Sequence, residues 1–151
     1  MAANFLDPSE NKALISRFFL LMPDAPRRWG TMTAGQMLVH CADQLRVSRG
    51  EKRVTSLWIP GFLKSLLKKR FITQFKGFKP GMKTLRELDA RRGMTAPVGF
   101  AADHATLIRL LSPAGYGPGG LDHPLFGHLS AQEFGEITWQ HLDHHLRQFG
   151  V

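Results

Sequence analysis

Ser130-Ala131-Gln132-Glu133-Phe134-Gly135-Glu136-Ile137-Thr138-Trp139-Gln140-His141-Leu142-Asp143-His144-His145-Leu146-Arg147-Gln148-Phe149-Gly150 is the stretch on which the reading of this chain turns. It opens as a capping box: the Ser hydroxyl accepts from a free N–H of the first turn, and the Glu three residues on reaches back to the cap. Gly150 supplies the stop, because glycine enters the left-handed conformation at little cost. At about 100° per residue, Phe134, Ile137, Thr138, His141, His145 and Phe149 share one stripe, which predicts a helix with its histidines turned inward. His144 falls at the edge of that stripe, and Asp143 and Arg147 point away from it.

Residues four apart on a helix are neighbours, so His141 and His145 offer two imidazole nitrogens to one region of space. Neutral imidazole is a good ligand for zinc, nickel, copper or iron. The same pair also reads as two hydrogen-bonded core histidines, and a third ligand from elsewhere decides between the two. His40 is the candidate. Thr33-Ala34-Gly35-Gln36 is a second capping box, and the helix it opens runs to about Arg49, with Gly50 as its stop. Ala34, Met37, Leu38, Cys41 and Leu45 form that helix's apolar stripe, and His40 lies at the stripe's edge, beside Met37 and Gln44.

The chain has 151 residues, enough for one domain with a substantial core. A single cysteine, Cys41, excludes an intramolecular disulfide framework and suits a reducing compartment. The N-terminus lacks the pattern of a signal peptide, and no apolar run approaches the roughly 20 residues that span a bilayer. The expectation is a cytoplasmic protein without a membrane partner. Net charge is +8 and local in origin: twelve Lys/Arg against two acids give residues 52–92 a charge of +10, and the remainder carries −2. Such a segment can attract an anion or nucleic acid, or simply keep the surface solvated.

Two further bundle helices and one accessory helix are expected around these. Asp7-Pro8-Ser9-Glu10 is a helix start, with Asp as cap and Pro at the first position. Its stripe is Ala13, Leu14, Phe18 and Leu21, and Pro23 ends it. Gly99–Leu111 reads as a helix with Ala102, Ala105, Leu107, Ile108 and Leu111 as apolar members and His104 on the surface. Ile59–Phe75, opened by Pro60-Gly61, reads as one basic amphipathic helix; such a helix can lie on a membrane or grip nucleic acid, but more often its apolar face covers the bundle's side or a dimer interface. Ser112–Gly120 is a glycine- and proline-rich loop without the lysine or strand context of a phosphate-binding loop. Almost no alternating strand pattern is present. These elements predict an all-α fold, a four-helix bundle with an extra basic amphipathic helix, and such bundles build metal sites from side chains on facing helices.

Met37-Leu38-Val39-His40-Cys41 in the second helix, and H-x-x-x-H followed by Leu146-Arg147-Gln148 in the last, resemble the DinB/YfiT-like superfamily of metalloenzymes. The chain is most similar to a bacterial subgroup sharing Arg27-Arg28-Trp29-Gly30, His123-Pro-x-Phe126-Gly127 and the His141–Phe149 ending. The resemblance covers nearly the whole chain and is least marked in residues 52–92. It implies an up-down four-helix bundle, a divalent metal on His40, His141 and His145, and a homodimer. Zinc or nickel leads as the ion, with iron or manganese as further candidates. It also implies a small-molecule substrate, since relatives include transferases and an isomerase that use low-molecular-weight thiols.

Three neutral histidines leave a coordination position open, as in a catalytic rather than a structural zinc site. Gln44, His144 and Gln148 are candidates to orient ligands or substrate by helical position. No carboxylate base is legible, because Asp43 and Asp143 both read as outward-facing. The leading expectation is a metal-dependent transferase or hydrolase. Two others stand beside it: a bundle that binds metal without catalysis, and a basic protein gripping nucleic acid or another anionic partner through Lys64–Lys83. The second lacks any docking motif such as a helix-turn-helix.

Overall fold

The computed structural model describes residues 2–55, 57–74 and 77–151, with backbone alone for 73 and 74. Among them are five α-helices: α1 (Pro8–Leu20), α2 (Ala34–Ser48), α3 (Gly61–Gln74), α4 (Phe100–Leu110) and α5 (Ala131–Gln148). Short 3-10 turns lie at Arg86–Leu88 and Pro113–Gly115. The class is predominantly α, with one addition. Leu121–His123 (β1) and Gly127–Leu129 (β2) pair antiparallel.

The helix ends form where the caps place them. The Asp7 carboxylate accepts from the N–H groups of Ser9 and Glu10 ahead of Pro8, and both capping boxes, Thr33/Gln36 and Ser130/Glu133, are made in full. Gly50 and Gly150, with φ of 73° and 80°, follow α2 and α5 in the left-handed region that a side chain would disfavour.

α2 packs against α4 and α1 against α5. Between them lies a core that includes Phe5, Leu14, Phe18, Met37, Leu38, Leu45, Leu107, Leu111, Leu142 and Leu146. Three expected core members are instead exposed: Ala13 on α1, and Ala102 and Ala105 on α4. Polar residues take buried places there because they satisfy backbone groups. Asn11 donates to the carbonyls of Phe5 and Leu111, and Asp103 accepts from the N–H groups of Val98 and Gly99, capping a helix start that has no capping side chain of its own. His104, expected on the surface, is half-buried with Nε2 3.0 Å from the Phe18 carbonyl.

The small sheet has a local cause. His123 pairs with Gly127 across a three-residue loop, Gly127 takes a φ of 66°, and His123 Nδ1 accepts from the Leu125 N–H. The strands are three residues each, too short to show alternation in sequence. The hairpin seats α3: Phe71 packs on Phe126, and Lys68 donates to the His128 carbonyl and to Glu133. Other apolar side chains of α3 stay largely open among the described residues, with Phe62 77% and Leu66 62% exposed. Phe75, the expected end of this helix, lies outside the described residues. No helix among the described residues is long and apolar enough to cross a membrane.

Candidate metal centre

α5 places His141 and His145 one turn apart on its inner face, and α2 brings His40 against them. All three are buried, and each offers one ligand atom, the atoms lying within 4.8 Å of one another. His141 Nε2 is 3.1 Å from His40 Nε2 and 3.2 Å from His145 Nε2. Nitrogens in a tetrahedral site at the usual metal–nitrogen distance of about 2.0–2.1 Å would be roughly 3.3 Å apart. Three buried histidines are thus close enough to hold a metal ion.

The outer ring nitrogens explain why the inner ones converge. His40 Nδ1 lies 2.8 Å from the Leu88 carbonyl, which can only accept, so Nδ1 carries the proton and Nε2 the lone pair. His145 Nδ1 lies 2.9 Å from Gln148 Oε1. The orientation of that amide is set by its other end, because Gln148 Nε2 donates to the Trp29 carbonyl at 2.8 Å. His145 therefore also turns a lone pair inward. Both contacts have the form that fixes ring and tautomer in histidine metal sites.

His141 cannot satisfy its neighbours by hydrogen bonding alone. Its Nδ1 is buried without a partner. With its proton on Nε2 it serves one neighbour and leaves the other lone pair unanswered; with its proton on Nδ1, three lone pairs face each other. A cation among the Nε2 atoms resolves the conflict, and the donor set therefore fits a metal ion. Burial, then the neighbouring imidazoles, pushes His141 and His145 well below the usual histidine range; burial also lowers His40 against the opposing pull of the Leu88 carbonyl. Neutral rings are the form that coordinates.

A cavity of about 370 Å³ opens on the cluster, walled by Trp29, Met32, Phe78, Leu88 and His144 among others. His144 is not one of the converging three. Its ring lies 5.5 Å from that of Trp29 and 6.1 Å from that of Phe78. Gln44 is not brought to the cluster: its amide turns along α2 toward Ser48. Cys41 is fully buried beside Met37, and burial alone drives its thiol pKa up, so it is an inert core residue.

Asp43 corrects the sequence reading. Its side chain is fully buried rather than outward, paired with Lys52 and Arg46 and accepting from the Thr95 N–H and hydroxyl. Asp143 is turned from the site as expected, but is half-buried between Arg17 and Arg147. Leu88 was not legible as part of the site because it acts through a backbone carbonyl. The Arg27–Gly30 stretch acquires a reason: Arg28 N–H donates to the Gln148 carbonyl, Trp29 holds the Gln148 amide, and Gly30 lets the chain pass against it.

No protein-family model matches this sequence, and no match was found among curated proteins or solved structures.

Proposed function

We propose that this chain is a divalent-metal-dependent enzyme of the DinB/YfiT type, its helices forming that superfamily's up-down four-helix bundle with α3 as the added element. His40, His141 and His145 hold the ion, zinc or nickel before iron or manganese, and a small molecule occupies the cavity above it. The reaction class is thiol S-transfer or hydrolysis. When bound, the ion supplies a Lewis-acid position that acidifies a thiol or water ligand.

The observation that carries this reading is the convergence of three buried Nε2 atoms whose outer nitrogens are held by the Leu88 carbonyl and the Gln148 amide, or left unpartnered in His141. Three protein ligands would leave a position free for substrate, and a cavity opens on the cluster. The chain's own residues do the remainder. Leu88 and Gln148 fix the rings, while Phe78, Trp29 and Met32 shield the cluster from bulk water, which strengthens every electrostatic contact inside.

The test is elemental analysis of untagged protein reconstituted with zinc, nickel, iron and manganese in turn. About one ion per chain is expected for a mononuclear three-histidine site. It should be lost in His40→Ala, His141→Ala and His145→Ala, with thiol-transfer and hydrolase assays then run on the loaded protein. Absence of uptake under every condition would overturn the reading.

A further inference from the structure

The cavity over the three histidines is apolar inside and cationic at its mouth. Lys79, Lys83 and Arg91 all line it and all are exposed. None has an ion-pair partner among the described residues, whereas Lys52, Lys68 and Arg92 of the same basic segment are engaged with Asp43, Glu133 and Asp89. The one acid lining it among the described residues, Asp89, accepts from the Arg91 N–H at 2.9 Å and pairs with Arg92. The histidines below are neutral, so among the described lining residues three cations stand against the single carboxylate of Asp89, and a bound metal ion would add to the positive excess. A cleft lined by one sign of charge concentrates ions of the opposite sign.

We infer that the molecule this cavity takes is a small anion, bearing a carboxylate or phosphate that Lys79, Lys83 and Arg91 meet at the mouth while its reacting end lies against the histidine cluster. The inference rests on the metal-site reading for the inner contact only; the cationic mouth stands without it. It also gives the excess charge of residues 79–91 a task other than solvation, and a cavity of about 370 Å³ suits a small molecule rather than a polymer.

The experiment uses cobalt(II)-loaded protein and follows the sulfur-to-metal absorption band. Three thiols are titrated, each able to ligate the ion whatever the natural substrate: mercaptosuccinate (dianionic), thioglycerol (neutral) and cysteamine (cationic). Mercaptosuccinate is expected to bind about tenfold more tightly than thioglycerol and cysteamine more weakly still, the order expected of charge-assisted contacts. The preference should shrink on raising salt from about 50 mM to about 500 mM. It should fall within about twofold in Lys83→Glu/Arg91→Glu with thioglycerol binding unchanged, a loss that the same charge-assisted contacts predict. Succinate and inorganic phosphate as competitors tell a carboxylate site from a phosphate site.

Equal binding of the three thiols by protein that has taken up cobalt overturns the inference and leaves the metal site standing. Failure to take up cobalt overturns the metal site instead. Calorimetric titration of succinate and phosphate into metal-free protein then judges the mouth alone: binding lost in the double variant supports the inference, and no binding overturns it.

Discussion

His145 Nδ1 and Gln148 Oε1 lie 2.9 Å apart, three residues from each other on the last turns of α5, and the same amide donates to the Trp29 carbonyl at 2.8 Å. One side chain thus ties the segment before α2 to the ring whose far nitrogen faces the cluster. Removing such a partner in characterised sites costs about 10–100-fold in metal affinity, and that loss is expected for Gln148→Ala. Gly30→Ala should reproduce much of it without removing a polar group. Gly30 has a φ of 76°, and a Cβ there would fall 2.6 Å from Gln148 Nε2. Competition of each variant against a chromophoric chelator measures both; wild-type affinity in both would remove Gln148 from any positioning role.

Metal should stabilise the fold because it binds an arrangement that the unfolded chain lacks. At about 100 times the dissociation constant the stabilisation is roughly 2.7 kcal/mol. For a chain of this length that corresponds to a rise of several degrees in melting temperature. Thermal melts with chelator and with added zinc should show this shift in the wild type and lose it in His141→Ala. An equal shift in that variant would place the ion elsewhere.

The caps made the helices legible, since Asp7, Thr33 and Ser130 each declare a start with local chemistry that tertiary packing did not override. The three histidines were legible for a related reason: helical spacing alone puts His141 beside His145, and His40 was the inward-reaching histidine on another capped helix. Long-range choices were not legible. Asn11 and Asp103 look like surface residues until the carbonyls and N–H groups they satisfy are brought to them by other segments. Asp43 shows the same limit, because its cations and Thr95 come from later in the chain. The hairpin escaped notice because three-residue strands carry too little pattern, although Gly127 marked the turn.

Acid should weaken the metal-free fold. His40, His141 and His145 are held below the usual histidine range first by burial, and His123 is pushed down to about 4 by burial and then by the Lys64 charge. Above about pH 6.5 both folded and unfolded chains carry these rings neutral, and their contribution is fully present. Below it the unfolded chain binds protons that the folded one refuses, so stability falls as pH drops toward 4. Urea midpoints at about pH 7.5, 6 and 5 should decrease in that order. A midpoint that rises on acidification would mean that the cluster holds a shared proton in the fold.

Asp43 should matter to the metal centre without touching it. Burial opposes its charge, but Lys52, Thr95 and Arg46 together hold the carboxyl below the usual carboxylate range. Lys52 also donates to the Gly93 carbonyl and the Thr95 hydroxyl, so this one carboxylate pins residues 93–95 against α2. The same segment, a few residues earlier, carries the Leu88 carbonyl that orients His40. Asp43→Ala breaks a buried pair and leaves its partners unanswered, which should cost about 3 kcal/mol. It should also lower metal affinity, since the His40 ring loses its fixed support. Urea denaturation measures the first effect and chelator competition on the folded fraction the second. A destabilised variant that still binds metal like the wild type would show that the Leu88 carbonyl is held in place without the Asp43 network.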